Sequence, residues 1–309
     1  MPPRHPHLAL VGCTASGKSA LALAAARRLG DLGPPVEIVS VDSMQVYRGM
    51  DIGTAKASVA ERAEVAHHLI DVVEPAEDFT VVRYQEAARS AIEAIEAAGH
   101  RALLVGGTGL WFRALVDDLR PAGQYPDVRA ELESVADTAG LHRRLVALDP
   151  AAAAKIEPTN RRRVVRALEV TLGTGSPFSS FGPGMGVFPA TMFRIAGIWL
   201  PRAVVSQRID HRFDAMVAAG LVEEVRGLAR RRGGMSATAR QALGYREVLA
   251  HLEGGLPLDA ALAGAARRTK AFARRQRMWW RRDPRITWFG AADNPFAALA
   301  ALLGDWASA

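Results

Sequence analysis

The sequence predicts an α/β protein in which a parallel sheet, flanked by helices, is interrupted by an all-helical insertion. Apolar runs of strand length alternate with helical patterns in the first 119 residues. A glycine-rich phosphate loop stands between the first strand and the first helix. Residues 126–172 hold helical patterns without a strand candidate, a stretch rich in glycine and proline follows at 178–189, and a strand pattern returns at 192. We therefore assign residues 1–119 and 189–309 to the α/β core and 120–188 to the insertion.

The first stretch, residues 7–19, joins an apolar strand to the loop Gly-x-x-x-x-Gly-Lys-Ser, and a helical pattern follows at once. Gly12 and Gly17 permit backbone conformations that turn successive N–H groups toward one anion. The positive end of the following helix points to the same place. Lys18 adds a charge, and the Ser19 hydroxyl is placed to ligate Mg²⁺. This P-loop predicts binding of a polyphosphate but does not say which one.

A polar loop follows the next predicted strand, residues 36–41. Asp42 stands at the carboxyl end of that strand, where ligands bind in an open parallel sheet. Its carboxylate can act as a general base or as a metal ligand. It can also form a turn that caps the next segment. The sequence leaves these alternatives open.

The other core elements are recognised by their periodicity and by their flanking glycines. They are predicted as strands at 67–73, 101–105, 192–200 and 286–289, and as helices at 80–98, at 110–116, over most of 201–282 and at the C-terminal end. Gly106-Gly107-Thr108-Gly109 follows one of these strands. Its glycines either let a ligand or another chain approach the backbone or form a tight turn into the helix.

Composition places the chain among ordinary globular proteins, with 49% apolar and 23% charged residues. The net charge of +7 makes a polyanionic partner plausible. Cys13 is the single cysteine, so a disulfide within the chain is impossible and a reducing compartment is expected. No apolar run reaches the length of a membrane span. We predict a cytoplasmic monomer that does not bind membranes.

Basic residues cluster on predicted helices. Arg162 and Arg166 are four residues apart and share one helix face. A second group, which we call the basic stripe, recurs at spacings of three and four: Arg267, Lys270, Arg274, Arg277 and Arg281. Such faces suit a phosphodiester backbone, and the neighbouring Trp279 and Trp280 either stack on bases or pack in the core.

Arg208 and Arg212 lie four residues apart on another predicted helix. An arginine that enters the mouth of the P-loop would stabilise charge on a leaving phosphate. Spacing alone does not choose between the two, and it does not exclude a role on the surface.

With these motifs laid out, the sequence resembles the bacterial tRNA dimethylallyltransferases, which prenylate N6 of adenosine 37 beside the anticodon. The resemblance covers nearly the whole chain and is carried by motifs in a fixed order: Gly-x-Thr-Ala-Ser-Gly-Lys-Ser (12–19), Ser-Val-Asp-Ser-x-Gln-Val-Tyr (40–47), Asp-Ile-Gly-Thr-Ala-Lys (51–56), His-His-Leu-Ile-Asp (67–71), Gly-Gly-Thr-Gly-Leu (106–110), Arg-Arg-Val-Val-Arg-Ala-Leu-Glu-Val (162–170), Gln-Ala-Leu-Gly-Tyr-Arg-Glu (241–247) and Arg-Arg-Gln (274–276). Departures are few, such as Cys13 where the family usually has proline.

The resemblance implies a P-loop NTPase-like core whose loop holds the diphosphate of dimethylallyl diphosphate, assisted by Mg²⁺. Asp42 would accept the proton of the adenine amine, Thr14 would contact the oxygen that bridges the allyl carbon and the diphosphate, and Arg212 would steady the departing diphosphate. The implied diphosphate site is Gly12, Thr14, Ala15, Ser16, Gly17, Lys18 and Ser19, with Ser19 as the metal ligand. The implied tRNA contacts are Asp42, Ser43, Met44, Gln45, Thr108, Arg129, Arg162, Arg163, Val164, Val165, Arg166, Gln241, Ala242, Leu243, Gly244, Tyr245 and Arg246.

We therefore expect transfer of a dimethylallyl group to N6 of adenosine 37, with release of diphosphate, in tRNAs that read codons beginning with U. The helical insertion would grip the anticodon stem-loop. The P-loop alone would also suit an ATP-dependent kinase of a small molecule or nucleoside. A P-loop protein that binds RNA without transfer chemistry is the third hypothesis.

Overall fold

The structure is a computed structural model that describes residues 7–119, 122–181 and 184–307. The chain divides into two compact units, the first formed by residues 1–116 and 190–309 and the second by residues 117–189. The described strands all belong to the first unit. They are β1 (His7–Val11), β2 (Val36–Val41), β3 (His67–His68), β4 (Arg101–Gly106), β5 (Phe193–Trp199) and β6 (Thr287–Gly290). They form one parallel sheet in the order β3-β2-β4-β1-β5-β6, which confirms the predicted α/β class.

Helices connect these strands. In the first unit they are α1 (Lys18–Gly30), α2 (Val59–Glu64), α3 (Val81–Ala97), α4 (Gly109–Val116), α9 (Arg202–Ala218), α10 (Leu221–Arg230), α11 (Tyr245–Leu252), α12 (Leu258–Trp280) and α13 (Leu299–Ala307). In the second unit they are α5 (Pro126–Ser134), α6 (Thr138–Leu148), α7 (Pro150–Ala153) and α8 (Arg161–Thr174). Thr80 caps the N-terminus of α3, because its side chain accepts a hydrogen bond from the Arg83 N–H.

Register brings three strand ends to one level at the carboxyl edge of the sheet. Val11 of β1 pairs with Gly106 of β4, and Val41 of β2 pairs with the same Gly106. The loops after these strands therefore start side by side. They are the P-loop from Gly12, the polar loop from Asp42 and the glycine loop from Gly107.

The sheet is covered on both faces, as strands buried on both sides require. Leu8 and Leu10 of β1 lie in a core with α1 and α13. The alternate residues Ala9 and Val11 lie in a second core with α3, α4, α10 and α11. All five residues of β1 are buried, as the continuous apolar run of this strand requires.

The second unit has an apolar core of its own, in which Leu132, Leu141, Leu145, Val164 and Leu168 are buried. Asn160 caps α8 by accepting a hydrogen bond from the Arg163 N–H. The unit contains helices and no strand within residues 122–181 and 184–189.

The strand predicted at residues 67–73 is wrong in its length. β3 ends at His68, since Leu69 and Asp71 adopt left-handed backbone conformations with φ of 62° and 56°. The carboxylate of Asp71 instead pairs with Lys56 and Arg62. The backbone N–H groups of Asp71, Val72 and Val73 donate to the carbonyl groups of Gln45 and Val46, so this segment pairs with the polar loop after β2 and does not continue the strand.

Among the described helices, none combines the length and the apolarity needed to cross a membrane.

Gly106 allows a close approach of β2 to β4, so a substitution at this position tests the register of these two strands. A Cβ at this position would overlap the backbone carbonyl of Val41. We expect Gly106→Ala to lower the free energy of unfolding by about 1–3 kcal/mol, the usual cost of overpacking. Gly290 ends β6 and has no atom within 4 Å of an added Cβ, so Gly290→Ala is the matched control. Urea unfolding measures both, and equal stabilities of the two variants would contradict the register.

Candidate active site

The P-loop adopts the backbone that its glycines predict. Gly17 has φ of 82° immediately before α1, and Ala15 has φ of 60°. Gly12 has little room for a side chain, because an added Cβ would stand 2.9 Å from both Ile198 Cγ2 and Ser16 Oγ. The loop therefore brings its backbone N–H groups and the start of α1 to the carboxyl edge of the sheet.

Three cations meet at this loop. Lys18 Nζ lies 3.5 Å from the Cys13 carbonyl oxygen. Arg208 Nε donates to the Ala15 carbonyl oxygen at 2.9 Å, and Arg212 Nη1 donates to Thr14 Oγ1 at 3.4 Å. Both arginines that the spacing left undecided thus contact the P-loop.

Partial burial of Lys18 and Arg212 makes the cavity favourable for an anion. Burial lowers the pKa of Lys18, and the nearby Asp42 carboxylate opposes that effect. Burial likewise lowers the pKa of Arg212, again opposed by Asp42. Binding of a negatively charged ligand would relieve the cost of holding these like charges together away from water.

Asp42 has two roles in the structure. Its Oδ1 accepts a hydrogen bond from the Met44 N–H at 2.9 Å, so the turn-forming alternative is confirmed. Oδ2 has no hydrogen-bond partner within the described part of the chain. Asp42 also lines the cavity that contains the P-loop residues. The turn thus fixes the carboxylate beside the phosphate-binding backbone.

The polar loop is tied to its neighbours through Thr108 and Gln45. Thr108 Oγ1 accepts from the Ser43 N–H at 3.1 Å, and its own N–H donates to the Val41 carbonyl at 3.2 Å. Gln45 Oε1 accepts from the Ser40 hydroxyl at 2.9 Å, and its Nε2 donates to the Thr54 carbonyl at 3.3 Å. The predicted site residues Asp42, Ser43, Gln45 and Thr108 therefore lie in one hydrogen-bonded group of loops.

The glycines after β4 make room for side chains of the same protein. A Cβ on Gly107 would overlap the Gln276 amide, and one on Gly109 would overlap the Trp279 indole. The side chains that approach this loop therefore belong to the same chain, which neither of the two alternatives for the loop described. Trp280 lies in the core against Phe112, with ring centroids 5.2 Å apart.

A cavity of about 510 Å³ joins these features. Its lining includes predicted site residues from the P-loop, the polar loop and α9: Thr14, Ala15, Gly17, Lys18, Ser19, Asp42, Gln45 and Arg212. It also includes residues that the site prediction omitted: Thr54, His211, Phe272 and Gln276. A signal for Gln276 was present in the sequence, because it shares the buried face of α12 with Ala265, Thr269, Ala273 and Trp280.

The segment 241–246 contains both exposed and buried residues. Gln241 and Arg246 are exposed and hydrogen bond to each other. Ala242 and Tyr245 are buried, so their side chains cannot contact RNA in this conformation.

Tyr245 instead helps to hold residues 51–53 in place, through a hydrogen bond to Glu224. Its hydroxyl donates to Glu224 Oε1 at 2.5 Å. The Glu224 carboxylate also accepts from the backbone N–H groups of Asp51, Ile52 and Gly53, at 2.9, 2.7 and 3.2 Å. This loop continues to Thr54, which lines the cavity.

In the second unit, Arg162 and Arg163 are exposed, whereas Val164 and Val165 are buried in its core. The two other predicted RNA-binding arginines face the buried carboxylate of Glu169. Arg166 Nη1 lies 2.8 Å from it and Arg129 Nη1 lies 3.5 Å from it. The arginines predicted in this unit thus divide into an exposed pair and an ion-paired pair.

The basic stripe of α12 is less continuous than its spacing predicts. Arg277 donates to the Leu200 carbonyl at 2.6 Å and lies over the Trp199 ring, 3.5 Å from its centroid. Lys270 pairs with Asp210 at 2.6 Å. Arg267, Arg274 and Arg281 remain exposed.

Comparison with known proteins identifies the family. The family model for IPP transferase matches residues 45–283. The tRNA dimethylallyltransferase of Kineococcus radiotolerans is 48% identical over 296 residues, which cover 94% of this chain and 93% of that protein. That of Bifidobacterium animalis subsp. lactis is 46% identical over 301 residues, covering 94% and 86%. The solved tRNA isopentenylpyrophosphate transferase of Bacillus halodurans is similar with a TM-score of 0.70 at 36% identity, covering 99% of this chain and 98% of that chain. The chain belongs to the IPP transferase family, as its motifs predict.

Glu224 offers a test of how the loop at 51–54 is held. Glu224→Ala leaves three backbone N–H groups and the Tyr245 hydroxyl without their acceptor, so we expect a loss of about 1–3 kcal/mol in the free energy of unfolding. The neighbouring Glu223 is exposed and pairs with Arg226 on the surface, and Glu223→Ala should change stability by less than about 0.5 kcal/mol. Thermal and urea unfolding compare them, and similar losses in both variants would contradict the assignment.

Proposed function

We propose that this member of the IPP transferase family transfers a dimethylallyl group from dimethylallyl diphosphate to N6 of adenosine 37 in tRNAs that read codons beginning with U. The relatives named tRNA dimethylallyltransferase support this reaction. The observation that carries the proposal is that the P-loop, Arg212 and Asp42 line one cavity. Prenyl transfer to an amine needs an anion-stabilising cradle and a base within reach of the same reacting atoms.

The chemistry follows from the weakness of the nucleophile, because the lone pair of the adenine amine is delocalised into the ring. N6 would attack the allylic carbon as the bond from that carbon to the diphosphate oxygen breaks. The electron pair of the broken bond leaves with the diphosphate, and the N6 proton passes to Asp42. Lys18, Arg212 and the P-loop N–H groups would stabilise the charge that grows on the leaving oxygen. The hydroxyl of Thr14, which lies beside Arg212, is assigned to the bridging oxygen.

Magnesium is implied by the family, and the residues present fit it. Ser19 and Asp42 supply hard oxygen donors to the same cavity. Mg²⁺ commonly takes one or two protein oxygens and completes its shell with water and substrate phosphates. A cluster of three or more acidic, histidine or cysteine ligands is therefore unnecessary, and the described residues contain none. Ser19 would hold the ion, which would neutralise charge on the diphosphate when bound.

Exposed arginines support the RNA half of the proposal. Arg162 and Arg163 of the second unit and Arg246 and Arg274 of the first are exposed. Their charges would attract the phosphodiester backbone in a salt-dependent manner. The target base would have to leave its stack to enter the cavity, which a nucleotide of a loop does at low cost.

A transfer assay separates this proposal from a kinase and from an RNA-binding protein without transfer chemistry. The protein is given tRNA whose anticodon loop contains A36-A37-A38, with label either in the allyl group of dimethylallyl diphosphate or in the terminal phosphate of ATP. We expect label from the allyl donor alone, and no transfer to the same tRNA with G37. Transfer from ATP, or no transfer, would overturn the proposal.

Asp42→Asn tests the base. Asparagine keeps an oxygen for the Met44 N–H but cannot take up the N6 proton, so we expect kcat to fall about 10²–10⁴-fold, the usual contribution of a general base. The dissociation constant for tRNA, measured by filter binding, should change by less than about threefold, that is less than about 0.7 kcal/mol. Equal losses in turnover and binding would show that Asp42 serves to position the RNA instead.

Arg274→Ala tests the exposed part of the basic stripe. We expect weaker tRNA binding and a slope of log K against log salt that is shallower by about one unit, as loss of one phosphate contact predicts. Arg28 is also exposed, at the end of α1, and Arg28→Ala is the control. If the two variants show the same slope as the unmodified protein, Arg274 is a solvated surface residue.

A further inference from the structure

Gln276 is a polar residue on the buried face of a long helix. It lies near the end of α12, only 7% exposed, between the buried Ala273 and Trp280. A buried amide is costly unless both its oxygen and its nitrogen find partners. The partners of this amide therefore indicate what the side chain does in the structure.

Both partners belong to loops of the candidate active site. Oε1 accepts the backbone N–H of Thr14 at 2.8 Å, and Nε2 donates to the backbone carbonyl of Gly107 at 2.9 Å. A donor at one end and an acceptor at the other allow only one orientation of the amide. The side chain thus links the P-loop of β1 to the glycine loop of β4.

The two linked residues stand next to groups assigned to chemistry. The Thr14 hydroxyl lies 3.4 Å from Arg212 Nη1. Gly107 precedes Thr108, whose hydroxyl accepts from the N–H of Ser43, the residue after Asp42. A shift of the Gln276 amide would therefore move the Thr14 side chain and the turn that carries the Asp42 carboxylate relative to each other.

We infer that Gln276 is a positioning residue for the transfer reaction, which sets the Thr14 hydroxyl and the Asp42 carboxylate at the spacing that reaction needs. The inference rests on the proposed function. Gln276 occupies the Thr14 N–H, so that N–H cannot bind a phosphate. Gln276 therefore affects the positions of the reacting groups. A misplacement of about 1 Å near the reacting atoms can lower the rate about 10²-fold.

Gln276→Met tests the inference, since methionine fills a similar volume and makes neither hydrogen bond. We expect kcat for prenyl transfer to fall about 10–100-fold. KM for dimethylallyl diphosphate and the dissociation constant for tRNA should each change by less than about threefold. The control is Thr269→Val on the same buried face, where the hydroxyl has no hydrogen-bond partner in the described part of the chain. That variant should keep the kcat of the unmodified protein.

The outcomes are distinguishable. If the unmodified protein does not transfer the allyl group, the proposed function fails. If it does, an unchanged kcat in Gln276→Met overturns the inference. So does a fall in kcat that only matches the loss of folded protein by circular dichroism, or an equal fall in Thr269→Val, because either result would assign Gln276 to helix packing.

Discussion

The alignment of three strand ends determines the site. Val11 and Val41 both pair with Gly106, so the chain leaves the sheet at one level from three neighbouring strands. A slip of one residue in either pairing would turn every side chain of that strand to the other face. It would also separate Asp42 from the P-loop. The positions of the site residues at this edge therefore depend on backbone pairing within the sheet.

The loops at that edge are held by side chains from distant helices. Glu224 of α10 binds the backbone of residues 51–53, and Gln276 of α12 binds Thr14 and Gly107. Arg208 of α9 binds the Ala15 carbonyl. These bonds reduce the freedom of loops that would otherwise have to be ordered when substrates bind, and such preorganisation lowers the entropic cost of reaching a reactive geometry.

Much of the fold could be predicted from the sequence, because its signals are local. Apolar runs bounded by glycines predicted the strands, and the P-loop motif predicted a phosphate site between β1 and α1. Asp71 shows a limit, since its backbone is left-handed and its carboxylate pairs with Lys56 and Arg62, which no local sequence pattern indicates. The contacts of Arg208, Glu224 and Gln276 likewise join distant segments, and a single sequence carries no measure of that proximity.

The glycines at 107 and 109 have a consequence for how this protein can change over generations. Their lack of a side chain is required by Gln276 and Trp279, and Gln276 lies 169 residues further along the chain than Gly107. A substitution that adds a side chain at 107 or 109 therefore requires a substitution in α12 as well. A side chain added at 107 would displace the Gln276 amide, and one added at 109 would overlap the Trp279 indole, unless α12 had first lost that bulk. The order of such substitutions, as well as their identity, is thus constrained at these two positions.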